Sequence, residues 1–406
     1  MNPEKLEVLS PAGSPECLRA AVDYGADAVY LGGQSFGMRA GSQNFTYDTL
    51  KEAVDYAHGK NVKIYLTCNT LPRNNEIPHF EGFLREATDC GVDAVIVADL
   101  GLLSLVKKFA PDMEVHMSTQ MGIVNYVTAR ELYNMGVKRV VIARELSLEE
   151  IAEIRAKTPP ELDIEAFVHG AMCVSFSGRC LLSQYLTNRD ANRGECAQPC
   201  RWSYSLMEET RQGEYYPIAE DDRGTYILNA KDLCMIEQLD KAAQAGVTSF
   251  KIEGRAKSAY YVSVVTNAYR MATDILKNNP DNYSLPQWIK DEVFKVSHRP
   301  YCTGFFFGHP KDCQYYKSSG YIREYDVAAV VDECKDGMLY ATQRNKFGRG
   351  DELEILSPGK HFDVCKAEEL YNADGEPIES ANHAMMKLMI PCEKTYPQGA
   401  IIRIKK

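Results

Sequence analysis

One pattern recurs five times in the first two-thirds of the chain: a helical stretch ends at a glycine, and a short β-branched run follows. It reads Gly25-Ala26-Asp27-Ala28-Val29-Tyr30-Leu31, then Gly59-Lys60-Asn61-Val62-Lys63-Ile64-Tyr65-Leu66, then Gly91-Val92-Asp93-Ala94-Val95-Ile96-Val97. It returns at Gly136-Val137-Lys138-Arg139-Val140-Val141-Ile142 and at Gly246-Val247-Thr248-Ser249-Phe250-Lys251-Ile252. Glycine ends a helix by taking a left-handed conformation that a side chain resists. A continuous apolar run, in place of strict alternation, suits a strand covered on both faces. Strands alternating with helices build βαβ units and hence a parallel sheet.

The number of strands decides the architecture. Candidates are Leu6–Leu9, Ala28–Leu31, Lys63–Thr67, Ala94–Ala98, Glu114–Met117, Arg139–Ala143, Asp163–Val168 and Thr248–Glu253. Helical stretches separate them, among them Pro15–Tyr24, Tyr47–His58, Phe80–Cys90, Val124–Met135 and Leu148–Lys157. Eight such units predict an α/β fold of the (β/α)8, TIM-like barrel type over residues 1–280, with a doubly wound open sheet as the alternative. The interval between the seventh and eighth strands is long and makes an insertion over 170–230, with an extra ribbon expected at Trp202–Met207 and Tyr226–Leu228. A seventh helix is expected from about Lys231, which would put Cys234 in its first turn. Residues 281–324 read as a helical and extended connector. From 325 to 406, short alternating strands punctuated by Lys335-Asp336-Gly337, Ser357-Pro358-Gly359 and Ala373-Asp374-Gly375 predict a small all-β barrel domain.

Composition narrows the function classes. The chain has 406 residues and a net charge of −10, which argues against broad non-specific binding to nucleic acid but leaves room for a local basic patch. No basic segment followed by an apolar stretch opens the sequence, and no apolar run reaches membrane-spanning length. A cytoplasmic protein without a membrane partner is expected, and in a reducing compartment its 13 cysteines would not form a disulfide framework.

Five of those cysteines fall between Glu165 and Cys234, spaced Cys173-x6-Cys180-x15-Cys196-x3-Cys200-x33-Cys234. Zinc ribbons and fingers present tight Cys-x2-Cys pairs, and none occurs here. Wide, uneven spacing suits a centre assembled from several loops: an iron–sulfur cluster, with zinc or no metal as alternatives. The insertion leaves the carboxyl end of the seventh strand, which is the face where barrels of this kind place their active sites.

Other polar residues collect at the predicted strand ends. Asn69 and Asp99 follow the third and fourth strands, and His116, Ser118, Gln120 and Asn125 follow the fifth. Arg144 and Glu145 follow the sixth, and the eighth ends Lys251-Ile252-Glu253-Gly254-Arg255. Arg144, Glu253, Arg255, His116 and Lys251 are therefore candidate catalytic residues, the cations among them suited to an anionic co-substrate. Asn69, Asp99, Gln120, Asn125 and His169 are candidate substrate contacts, although Asp99 could instead cap the helix that follows it. Gly33-Gln34-Ser35-Phe36-Gly37 fits a nucleophile-elbow pattern, but no helix is expected after it.

The segment Glu165-x-Phe167-x-x-Gly170-Ala171-Met172-Cys173-x4-Gly178-x-Cys180-x-Leu182-Ser183 resembles the signature of the peptidase U32 family, first described as collagenase-like proteases. Leu9-Ser10-Pro11-Ala12-Gly13-Ser14 and Arg299-Pro300-Tyr301-Cys302-Thr303-Gly304-Phe305 are similar to that family as well. The resemblance implies a [4Fe–4S] cluster held by Cys173, Cys180, Cys196 and Cys234, with Cys200 as the alternative to Cys196. It further implies prephenate-dependent hydroxylation of RNA, and the domain after the barrel is similar to that of the branch acting on tRNA wobble uridine. A metal-dependent, collagenase-like peptidase and a non-catalytic cluster-bearing RNA scaffold are the alternatives.

Overall fold

The fold was analysed in a computed structural model, which describes residues 3–38, 42–173, 175–176, 179–202, 205–206, 216–217, 230–308, 313 and 321–406. Seven parallel strands follow one another around a barrel: β1 (Glu7–Ala12), β2 (Ala28–Gly32), β3 (Lys63–Cys68), β4 (Ala94–Val97), β5 (Glu114–Met117), β6 (Arg139–Val141) and β7 (Asp163–Ala171). The eighth, Ser249–Ile252, pairs in parallel with both β7 and β1, through Ser249↔Glu165 and Glu7↔Ser249, and so closes the ring. The closed (β/α)8 barrel is the expected one, and the open-sheet alternative is set aside.

Helices cover the outside with an apolar stripe turned to the sheet, and most are started by a side-chain cap. Ser14, Thr46, Asp99, Asn125, Ser147 and Ser258 each accept a backbone N–H of the following first turn. These caps precede α1 (Pro15–Asp23), α2 (Tyr47–His58), α4 (Leu100–Phe109), α5 (Tyr126–Asn134), α6 (Leu148–Ala156) and α9 (Ala259–Asn278), while α3 (Ile77–Asp89), α7 (Leu182–Thr187) and α8 (Leu239–Gln244) start without one. Val, Leu and Ile from the outer strand faces pack under the helices in one large core.

The inside of the barrel is different. Its apolar cluster is small, being Leu9, Ala28, Tyr30, Tyr65, Ala94 and Ile96. Much of the remaining interior is ionic. Glu7 Oε1 lies 2.6 Å from Arg139 Nη1, which lies 3.3 Å from Glu165 Oε2, and Glu165 Oε1 lies 2.5 Å from Lys251 Nζ. Two carboxylates and two cations balance, and Tyr65 and Ser249 also donate to Glu7 at 2.8 and 2.7 Å.

Two elements differ from the sequence expectation. The segment after the insertion is not yet a helix: Asp232–Cys234 is a short strand antiparallel to the end of β7, with Cys234 opposite His169, and the helix α8 begins only at Leu239. Asp232 is drawn there because Arg299 binds its carboxylate through its backbone N–H and guanidinium. Of the expected ribbon, Ser205–Leu206 pairs with Tyr216–Pro217, whereas Tyr226–Leu228 lies outside the described residues.

The C-terminal unit is a seven-stranded antiparallel sheet built from Tyr325–Lys335, Met338–Gln343, Glu352–Leu356, Asp363–Lys366, Tyr371–Asn372, Lys387–Pro391 and Ile401–Lys405. Two of these strands, Asp363–Lys366 and Tyr371–Asn372, are too short and too polar to show in the sequence pattern. The unit docks on the barrel flank through Arg403, which is 0% exposed. Its guanidinium reaches Glu292 at 2.7 Å and Glu354 at 2.6 Å, and Lys295 reaches Glu354 at 2.8 Å.

Replacing one member of a buried ion network leaves its partners charged and unpaired, at a cost of about 3–5 kcal/mol. Arg139→Met is therefore expected to lower the unfolding free energy by about that amount in chemical denaturation. The network also sets an acid limit. Burial raises the Glu7 pKa, but the Arg139 charge and the hydrogen bonds from Arg139, Ser249 and Tyr65 outweigh it and hold it near 2, down from an ordinary 4.5. A carboxylate so depressed adds stability that is fully present above pH 4.5 and is lost as pH falls toward 2. Glu7→Gln should flatten that acid limb in an unfolding series across pH.

Candidate functional site

The carboxyl ends of the strands surround a cavity of about 200 Å³ at the barrel mouth. Strand geometry explains its lining: inward positions lie two apart, so Tyr65 and Thr67, Glu165 and Phe167, and Ser249 and Lys251 succeed each other toward the mouth. Eight residues anticipated from strand ends meet there: Asn69, Ser118, Gln120, Arg144, Glu145, Lys251, Glu253 and Arg255. The wall also includes Tyr30, Thr67, Thr119 and Met172. A period-two reading carried one step past each strand would have found Tyr30 and Thr67, whereas Met172 had no separate signal.

Each charged side chain is held. Arg144 lies flat on the Phe167 ring, 3.8 Å from its centroid, and donates through Nη1 to the Ala171 carbonyl at 2.8 Å. Its Nη2 is 3.9 Å from Glu253 Oε2, and among the described residues its Nε has no hydrogen-bond partner. Arg255, 3% exposed, donates to Thr67 Oγ1 at 2.9 Å and Asn44 Oδ1 at 3.0 Å. Gly32 makes room for it, since a Cβ there would stand 2.4 Å from Arg255 Nη2. Lys251 is committed to Glu165 and packs over the Tyr30 ring. Gly170 has φ +102° and a Cβ on it would meet the Glu253 carbonyl at 2.3 Å, so β7 and the eighth strand approach closely only because that residue is glycine.

Four thiols reach the same cavity: Cys173, Cys180, Cys196 and Cys200. Cys180 accepts the Leu182 N–H and Cys196 the Gln198 N–H, both at 3.3 Å, and Cys173 accepts the Ser175 N–H. Burial pushes the Cys173 thiol up, while the Ser175 N–H and the Arg144 charge oppose it. Backbone N–H groups aimed at sulfur and a nearby guanidinium suit an anionic, sulfur-bound centre. Among the described residues no three His, Cys, Asp or Glu side chains stand close enough to hold a metal ion as they are. The donor chemistry fits a soft metal or an iron–sulfur cluster, provided the side chains turn inward.

Four expected site residues, and one expected ligand, lie elsewhere. Asp99 and Asn125 cap α4 and α5, accepting from Leu102 and Thr128, as their places just before helices require. His116 is deep in the barrel, 3.0 Å from Glu114 and edge-on to Tyr65, and burial, with the Arg139 charge, lowers its pKa. His169 follows an irregularity in the pairing of β7 with the eighth strand and packs among Tyr261, Tyr269 and Tyr301. Burial, then the His298 and Lys257 charges, lower its pKa to about 3, so it stays neutral at physiological pH. Cys234 shares this outer group: its Sγ is 3.9 Å from the Tyr269 hydroxyl, and burial pushes the thiol up to about 11. Its segment is a strand and not the first turn of the expected helix, and the Ile236 N–H of the short 3-10 turn that follows donates to its sulfur.

A larger cleft, about 940 Å³, runs between α1, α9 and the C-terminal sheet. Its charges largely neutralise each other, as in Lys60 with Asp23, Arg344 with Glu16 and Arg323 with Asp326. The mouth cavity, where thiols and cations converge, is the stronger candidate for chemistry.

Comparison with known proteins agrees with this architecture. Residues 13–315 match the family model described as Peptidase family U32, and residues 323–403 match the Peptidase family U32 C-terminal domain. The chain is 37% identical to tRNA hydroxylation protein P1 of Bacillus subtilis, with 98% of this chain and 94% of that protein covered. It is 45% identical to an uncharacterised protease of Methanocaldococcus jannaschii, covering 94% and 95%. It is 35% identical to a 23S rRNA 5-hydroxycytidine synthase of Escherichia coli, over 88% of this chain and 53% of that protein. The closed barrel, the cysteine-bearing loop at its mouth and the appended antiparallel sheet belong together: the chain is a member of the peptidase U32 family.

Proposed function

We propose that the chain takes part in RNA hydroxylation, and specifically in oxygen-independent, prephenate-dependent 5-hydroxylation of wobble uridine in tRNA. The observation that carries this reading is the convergence of four thiols with Arg144, Arg255 and Lys251 on one cavity at the barrel mouth. Relatives named for hydroxylation of tRNA and of a ribosomal cytidine support it across nearly the whole chain.

Replacing C5–H of uridine by C5–OH with a water-level oxygen releases two electrons and two protons, and a bound [4Fe–4S] cluster would pass those electrons singly to an external electron acceptor. Cys173, Cys180, Cys196 and Cys200 are the residues that would hold it. Arg144, seated over Phe167 on the cavity wall, would bind a carboxylate of the co-substrate. Tyr30 and Arg144 hold Glu253 at the rim, where it can accept a proton from the reacting base.

The insertion supplies a surface suited to RNA. Between Cys173 and Trp202 the sequence holds Arg179, Arg189, Arg193 and Arg201 against Asp190 and Glu195, with Arg193 committed to Glu76 outside the segment. Phe176, Leu181, Tyr185 and Trp202 are exposed in the same segment, Tyr185 at 81%. Unpaired bases stack on exposed aromatic rings while arginines meet the phosphates.

The family's peptidase name supports the rival reading. Among the described residues no histidine lines the cavity, so its cysteines lack the neighbouring base that activates a thiol nucleophile.

Anaerobically purified protein should carry about four irons and four sulfides per chain. Cys173→Ser, Cys180→Ser and Cys200→Ser should each lose most of the iron, whereas Cys234→Ser should keep it. Stoichiometric zinc without visible charge-transfer absorption would defeat the cluster assignment. Nucleoside mass spectrometry of tRNA from a strain lacking the gene should show loss of wobble 5-oxyuridine derivatives. The intact gene should restore them and Arg144→Gln should not; undiminished derivatives in the deletion strain would point to another substrate.

A further inference from the structure

The segment that carries the thiols is fastened to the barrel at a carboxylate outside the cavity. Glu76 stands immediately before α3 and does not line the cavity. Its Oε2 accepts the Arg73 backbone N–H at 2.7 Å, which fixes the carboxylate in place. The same carboxylate receives the Arg193 guanidinium as a fork, Nη1 to Oε2 at 2.6 Å and Nη2 to Oε1 at 2.7 Å. Two parallel charge-assisted bonds set orientation as well as distance. The hydrogen bonds from Arg193, then the one from the Arg73 N–H, hold the Glu76 pKa near 2, so the pair stays charged throughout the physiological range. Arg73 itself makes a longer approach to Asp190, at 3.9 Å.

What the fork holds is a knot of local bonds between two of the thiols. Arg193 ends the 3-10 turn Ala191–Arg193, and Asp190 ties that turn together. Its Oδ1 accepts the Asn192 N–H at 2.9 Å, and its carbonyl accepts the N–H groups of Arg193 and Glu195, both at 3.1 Å. On one side of the knot, Asn192 Nδ2 donates to the Cys180 carbonyl at 3.2 Å. On the other, the N–H of Ala197, next to Cys196, donates to Ser183 Oγ in α7 at 3.0 Å. A shift of the turn would therefore carry the backbones of Cys180 and Cys196 with it. We propose that Glu76 is a positioning residue for the thiol site, setting through Arg193 where the Cys180 and Cys196 backbones stand at the barrel mouth. This inference rests on the reading that these thiols hold a cluster, and it adds a residue outside the loop on which their placement depends.

The test is a double-mutant cycle on the full-length protein, with Glu76→Ala, Arg193→Ala and the two combined. In metal-free protein, amide exchange over 190–197 should quicken about two- to fivefold in each single variant, the scale of a partly exposed ion pair. The combined variant should exchange no faster than either single one. Glu76 gives α3 no side-chain cap, so the amides of β3 and α3 should keep their wild-type rates. In protein purified anaerobically with its iron, release of iron to a bipyridine chelator should quicken in Glu76→Ala as well. Glu76→Gln keeps an acceptor for the Arg73 N–H and loses the charge, so it should fall between wild type and Glu76→Ala. Unchanged exchange in Glu76→Ala, effects that add in the combined variant, or faster exchange spread over the whole barrel would each overturn the inference. So would faster exchange with unchanged iron release. Wild-type protein that binds no iron defeats the cluster reading instead, and the exchange cycle then decides by itself whether Glu76 places the two backbones.

Discussion

The ionic chain Glu7–Arg139–Glu165–Lys251 is the interaction on which the rest depends. It joins β1, β6, β7 and the eighth strand, the part of the ring where the barrel closes on itself. Barrels of this type are usually filled by layers of branched apolar side chains. Here four charges that sum to zero occupy much of that volume, and each is tolerable only because the others are in place. Taking out any one member would leave charge in a space with little access to water.

This arrangement shapes the mouth directly. Lys251 lines the cavity but is committed to Glu165, and the strand end beyond it adds Glu253 and Arg255. Arg255 in turn is held by Thr67 and Asn44, and Arg144 by the Phe167 ring and the Ala171 carbonyl. The three cations of the site are therefore held in three different ways. A count of positive residues at strand ends would have treated all three as equivalent.

Much of the fold was legible before the structure. Glycine-terminated helices and doubly buried strands mark five of the eight barrel strands to within about two residues, and Ser14, Thr46, Asp99 and Ser147 announce helix starts through short-range chemistry. Elements that depend on distant partners were not legible. Asp232–Cys234 is a strand because Arg299 binds Asp232 and β7 runs on past the barrel rim, and nothing local says so. His116 and His169 look like site residues by position, but alternation turns the first into the barrel interior and a register shift turns the second toward α9.

The sequence by itself determined the repeat, the barrel, the separate β-rich unit and the gathering of cysteines into one loop, because each of these is written in periodicity, caps and spacing over a few residues. Only the tertiary structure decided which polar groups meet. It placed Cys173, Cys180, Cys196 and Cys200 on one cavity and Cys234 behind β7, and it committed Lys251 and Arg255 to partners far away in the chain. Those outcomes turn on side-chain direction and on which buried charge finds which partner, and both are settled only when the ring has closed.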